Sequence, residues 1–266
     1  MKRKLAVQLF SLRAEAEKDG MASVLKTVAD IGYIAVEPAG FFDLSPKDFV
    51  KVMTDLGLEM YSSHRPWCRI DTIDDTIKTA HELGLNRVVC GFGPKDYENL
   101  DAIKRTADQT NTMLDKLAAE GISLFQHNHY WEFEKIDGKL KYEIYAELCP
   151  KVKFELDAYW SANFGANNAA EMVEKFYHRI VLLHMKDGIL EDPNSDLKMV
   201  NGTYEKKVNL RPLGEGKLNI AEILAAAPAE VDHVVVELDN SPFDMTESIR
   251  RSYDYMVKTG LGYGRK

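Results

Sequence analysis

The chain has 266 residues, 45% hydrophobic and 29% charged, an ordinary globular make-up with room for one large α/β barrel or two small domains. A formal charge of −8 without a Lys/Arg stripe argues against nucleic acid or an anionic membrane as partner. Cys68, Cys90 and Cys149 are far apart and form no CxxC pair, which suggests reduced thiols and a cytoplasmic protein.

Met1-Lys2-Arg3-Lys4 followed by Leu5 to Leu12 imitates a signal peptide, but Gln8, Ser11 and Arg13 interrupt the apolar run and no small-residue cleavage site follows. No run approaches membrane-spanning length. The start therefore reads as a first strand, Leu5–Phe10. A helix over Met21–Ile31 comes next, with Val24, Leu25, Val28 and Ile31 at helical spacing. Ile34–Glu37 is the second strand. Ser45-Pro46 then supplies the cap and first turn of a helix that runs to Leu56. Leu58–Ser63 and Arg87–Phe92 read as the third and fourth strands, followed by helices over Asp71–Leu83 and Asn99–Glu120. The fifth strand, Ile122–His129, is followed by a turn at Asp137-Gly138 and a short helix, Tyr142–Leu148. Val152–Asp157 and Ile180–Met185 are the sixth and seventh strands, with a helix near Ala169–Phe176 between them. An irregular stretch over 187–217 precedes a helix at Ile220–Ala227, the eighth strand, His233–Leu238, and a closing helix, Thr246–Lys258. Eight strand–helix units match the size of a single (β/α)₈ TIM barrel spanning 1–266. The first turn, Phe10-Ser11-Leu12-Arg13, carries no GxGxxG, which disfavours a doubly wound nucleotide fold.

Barrel chemistry gathers where strands end. Those ends supply Gln8, Glu37, His64 with Arg65, the stretch from His127 to Glu132, Asp157, His184 with Lys186, and Glu237 with Asp239. The opposite ends offer only residues such as Lys4, Ala35, Glu59 and Val88. In the fifth strand, alternation puts His127 and His129 on one face and Asn128 on the other. Two imidazoles on one face suit metal ligation or proton transfer better than core packing. Asp157, His184 and Glu237 each close an apolar run, and an inward carboxylate there needs a cation or a partner. Mixed O and N donors without a thiolate suit Mn²⁺, Co²⁺, Zn²⁺ or Mg²⁺.

The motifs HNHYWEF, LDAYW, LLHMKDG, PLGEG and VVELD, in this order, resemble the sugar phosphate isomerase/epimerase branch of the xylose isomerase-like TIM-barrel superfamily. The resemblance implies one divalent ion, Mn²⁺ as first choice, held by an acidic residue of strand five, Asp157, His184 and Glu237. Where that branch carries its strand-five glutamate this chain has His127. Either His127 is the ligand, or Glu132 reaches back and His127 moves protons; a second anion offsets the ion's charge better, which favours Glu132. The resemblance further implies isomerisation or epimerisation of a keto-sugar, keto-inositol or sugar phosphate, with a metal stabilising an enediolate. Glu237 would exchange the α-proton, partnered by Glu132, His127 or His129. A dehydratase or lyase using the same site is the alternative, and a non-catalytic sugar-binding barrel is the alternative of another class. Gln8, Glu37, His64, Arg65, Trp67, Asn128, Trp160 and Lys186 are candidate substrate contacts, and Trp131 a further apolar wall. Gly214-Glu215-Gly216 makes a weak phosphate cradle because it carries an anion. A homo-oligomer or partner subunit stays open.

Overall fold

The structure, a computed structural model, describes residues 2–190, 199–200, 203–204 and 208–266. Its main sheet contains eight parallel strands: β1 (Arg3–Gln8), β2 (Ala35–Glu37), β3 (Glu59–Met60), β4 (Arg87–Cys90), β5 (Ser123–His127), β6 (Lys153–Asp157), β7 (Ile180–Met185) and β8 (His233–Val236). They run in the order β3-β2-β1-β8-β7-β6-β5-β4, the cyclic order of a TIM barrel. Gly262–Tyr263 adds a short parallel pairing to the start of β1.

Between the strands lie α1 (Met21–Ile31), α2 (Pro46–Asp55), α3 (Ile73–Leu83), α4 (Leu100–Ala119), α5 (Lys141–Leu148), α6 (Ala169–Lys175) and α7 (Ile220–Ala226), and α8 (Met245–Lys258) follows the last strand. The expected start signals operate as caps. The Ser45 hydroxyl accepts from the Asp48 amide ahead of α2, and the Asn99 side chain accepts from Ala102 at the start of α4. The turn at Asp137-Gly138 joins Lys135–Ile136 to Lys139–Leu140, with both turn residues at positive φ. Of the irregular stretch expected over 187–217, residues 191–198, 201–202 and 205–207 lie outside the described residues.

The third strand is much shorter than the expected Leu58–Ser63. No ladder joins β3 to β4 among the described residues; the Cys68 amide instead donates to the Val89 carbonyl and fills that seam. Closure is evident from the lumen. His64, just past β3, lies 2.6 Å from Glu155 of β6, two strands that are far apart in the sheet order.

Alternation then sorts the side chains. Leu5 and Val7 of β1 join the large core beneath the helices, which also takes Val24, Leu25 and Val28 of α1. Burying each such side chain contributes roughly 1.5–3 kcal/mol. Ala6, Ala35, Leu182 and Val235 form a separate small cluster inside the barrel, with Tyr61 against it. That apolar plug leaves the next inward layer, toward the strand C-termini, to polar groups.

Candidate active site

Register decides which polar groups meet. Gln8 pairs with Glu37, Asp157 with His184, and His127 with Glu155. The β6–β7 pairing slips between Phe154 and Glu155, a bulge of the kind that re-aims side chains beside a site. Glu155 and Asp157, two residues apart beyond that slip, face the lumen together by alternation. Glu155 was not among the candidates read from the sequence. Its signal was available, since a carboxylate two residues before Asp157 shares its face.

Two overlapping quartets result. His127, Asp157, His184 and Glu237 form the outer one; His64, His127, Glu155 and His184 form the inner one. Within each, one ligand atom per residue lies within 4.8 Å of the others, and all these residues are buried. His184 spans both: Nδ1 is 2.7 Å from Glu237 Oε2, while Nε2 is 2.7 Å from Glu37 Oε2 and 3.5 Å from Glu155 Oε1. Its ring stacks parallel to that of His64 at 5.1 Å. Lys186 reaches the same region, with Nζ 2.7 Å from Asp157 Oδ2 and 2.8 Å from Glu237 Oε2. The other Asp157 oxygen accepts from the Trp160 amide, capping the short helix Ala158–Ser161.

Electrostatics follow from burial. Desolvation alone would raise Glu237 and Glu155, but Lys186 and His184 outweigh it at Glu237, and His184 and His64 at Glu155, holding both well below the usual carboxylate range. Burial would lower His184, yet Glu155 and Glu37 hold it above its ordinary value. His127 is pushed down to about 4, chiefly by burial, and His129 well below its ordinary value for the same reason. Both are therefore neutral imidazoles near pH 7, the form that offers a lone pair to a metal or proton.

The donor set fits a divalent ion. His127 Nδ1 is buried without a well-aligned hydrogen bond, and His184 Nε2 faces the carboxylates of Glu37 and Glu155. Neutral imidazole beside carboxylate oxygens suits Mn²⁺, Co²⁺ or Zn²⁺.

A cavity of about 370 Å³ opens above the quartets. His64, His127, His129, Lys186, Glu237 and Asp239 provide its polar lining, and Trp67, Trp131, Phe10 and Phe92 its aromatic walls. Trp67 packs so closely on Gly91 that a Cβ there would come within 2.8 Å of the ring. Arg65 and Arg69 complete the rim.

Several candidates stand elsewhere. Glu132 belongs to neither quartet: its carboxylate accepts from the Gln126 side chain at 3.2 Å and the His129 amide at 3.0 Å. Gln126 precedes His127 and so faces away from the lumen, and Glu132 follows it there. In this arrangement His127, not Glu132, stands with Asp157, His184 and Glu237 at the strand-five position. Asn128 also faces outward, exchanging hydrogen bonds with the Asp157 backbone and tying β5 to β6. Gln8 donates to Glu37 at 2.7 Å, Ser62 also donates to Glu37, and neither Gln8 nor Glu37 lines the cavity. Trp160 is buried beneath Lys186, 5.6 Å from Nζ, and is likewise outside the lining.

Gly214-Glu215-Gly216 is a latch. The Asp187 carboxylate accepts from the amides of Gly188, Gly214, Gly216 and Leu218, so those donors are already taken. Any Cβ on Gly216 would fall 2.0 Å from Asp187 Oδ1.

A sequence profile described as xylose isomerase-like TIM barrel matches residues 25–258. Among solved structures, a sugar phosphate isomerase/epimerase from Parabacteroides distasonis is 25% identical, with TM-score 0.70 over 98% of this chain and 94% of its own. An L-ribulose 3-epimerase is 15% identical, with TM-score 0.69 over 98% and 95%. The IOLI protein, solved with a bound zinc atom, is 16% identical, with TM-score 0.70 over 97% and 98%. The last two likenesses concern the fold alone. No protein of curated function matches significantly. Among the described residues no helix is long and apolar enough to cross a membrane.

Proposed function

The chain belongs to the xylose isomerase-like TIM-barrel family, and on that premise we propose that it is a divalent-metal-dependent isomerase or epimerase of a keto-sugar, keto-inositol or sugar phosphate. The observation that carries this reading is the convergence of His127, Asp157, His184 and Glu237 beneath a sugar-sized, aromatic-walled cavity. These four residues would hold the ion, with Mn²⁺ as first choice for mixed N and O donors. When bound, it supplies Lewis acidity, lowering the cost of negative charge on a carbonyl oxygen and so acidifying the adjacent C–H.

The chain's own groups do the rest. Glu237 is ionised and lines the cavity, placed to accept a proton from the carbon beside the carbonyl. His129 stacks on Trp131 at 4.5 Å and lines the same cavity with Nδ1 unpartnered. It serves as the second proton-transfer group, the role the sequence left open among Glu132, His127 and His129. Trp67 and Trp131 exclude water from the sugar face. The buried thiols Cys68, Cys90 and Cys149 suit a reducing cytoplasm.

The test is turnover of 2-keto-sugars in deuterated water, read by NMR for deuterium at the α carbon. Glu237→Gln keeps an oxygen ligand but removes the base, and should cut exchange by roughly 10²–10⁴. Wild-type exchange in that variant would sink the mechanism. A second reading, β-elimination by a dehydratase or lyase, draws on Lys186, an ammonium able to protonate a leaving group in the same chamber. An unsaturated product in the same assay would select it.

A further inference from the structure

Lys186 stands in the way of the ion. It enters the lumen two residues past His184, on the same strand face, and is 1% exposed. Its ammonium bridges Asp157 Oδ2 at 2.7 Å and Glu237 Oε2 at 2.8 Å, one oxygen from each carboxylate of the outer quartet. Metal–oxygen bonds are roughly 2.0–2.2 Å long, so an ion on this carboxylate pair and an ammonium on the same pair would be pressed together without water between them. Two cations cannot share that space in a low-dielectric lumen. The ammonium bridges the carboxylate pair, with His184 also on Glu237, and holds it closed.

A second berth lies alongside. Asp239 Oδ2 is buried without a hydrogen-bond partner and lies 3.8 Å from Lys186 Nζ, so a shift of about 1 Å brings it to contact distance. Asp239 lines the cavity beside Glu237. We infer that Lys186 is an internal counter-cation: it clamps Asp157 to Glu237 in the metal-free protein, gives way when the ion binds, and docks on Asp239 at the cavity wall. Metal loading and the presentation of an ammonium to the substrate are then one event. This inference rests on the metal reading above and assigns that site its metal-exchange element.

The test is titration of chelator-stripped protein with Co²⁺, followed by calorimetry and by the visible absorption of the bound ion. Lys186→Met removes the competitor and should tighten Co²⁺ binding by roughly 5–150-fold, the usual range for coupled binding events. Asp239→Asn removes the berth and should weaken Co²⁺ binding in the wild-type background, but have far less effect in the Lys186→Met background, because the two residues act as a unit. A lysine with a purely structural role would leave affinity unchanged or weaken it in Lys186→Met, and that result overturns the inference. So does an Asp239→Asn effect of equal size in both backgrounds, which would mark a simple long-range charge. Should Lys186→Met fail to fold once stripped, a crystal structure of Co²⁺-loaded wild type decides. Nζ on Asp239 supports the exchange, and Nζ still bridging Asp157 and Glu237 refutes it. Failure of the wild type to take up Co²⁺ would sink the metal reading and the exchange with it, whereas uptake without the Lys186→Met gain sinks the exchange alone.

Discussion

Replacing Glu132 by Gln separates the two roles weighed for that residue. Burial is the main force on its carboxyl, lifting it from 4.5 to about 8 against the pull of the backbone amides and Gln126. The folded chain therefore holds this proton more tightly than the unfolded chain. Such a group lends stability that is complete below about pH 4.5 and is lost as pH rises through about 8. At about 1.4 kcal/mol per pH unit, the loss is roughly 3 kcal/mol by pH 7 and roughly 4 kcal/mol by pH 8. An amide never ionises and escapes this loss. It must, however, turn an N–H toward either Gln126 or the His129 amide, which costs about 1 kcal/mol for a lost hydrogen bond. Glu132→Gln should consequently be slightly less stable than wild type at pH 5 and clearly more stable at pH 8, the two curves crossing between. Urea unfolding in the presence of chelator, at intervals from pH 5 to pH 9, measures this directly. A difference that stays constant across the range would refute the argument that Glu132 is held neutral by burial. The same variant should bind Co²⁺ as wild type does; release of metal would restore Glu132 as the strand-five ligand.

Glu155→Gln removes the anion set among His64, His127 and His184 and should destabilise the stripped protein by about 3–5 kcal/mol, the cost of breaking a buried ion pair from one side; chemical denaturation reads it, and an unchanged midpoint would mean that those imidazoles do not depend on it. Asp187→Asn keeps only part of the acceptor capacity that binds Gly188, Gly214, Gly216 and Leu218, so a loss of about 1–3 kcal/mol is expected, together with faster amide exchange at Gly214 and Gly216. Gly216→Ala should lower thermal stability further, because its methyl would occupy the position of Asp187 Oδ1. Normal stability in that variant would show that the latch is loose.

Local pattern alone carried much of this protein. Strand–helix alternation announced the barrel because periods of 2 and 3.6 are properties of neighbouring residues, and Ser45 and Asn99 cap the helices they were expected to start. Asp157, His184 and Glu237 were legible as polar ends of apolar strands, where only a lumen would tolerate them. The face of Asn128 was legible too, by alternation, but its use was not: it binds the backbone of Asp157, 29 residues away. Glu132 could not be placed from the sequence, since it sits in the short helical turn Trp131–Phe133 beyond the strand, where alternation no longer applies and packing sets the direction. Glu155 shares the face of Asp157 by alternation, but its meeting with His64, 91 residues away, was not legible. Lys186 reads in sequence as a polar residue near a histidine. Only the parallel pairing of β7 between β6 and β8 brings Asp157 and Glu237 to either side of its ammonium, and no stretch of neighbouring residues encodes the distance between them.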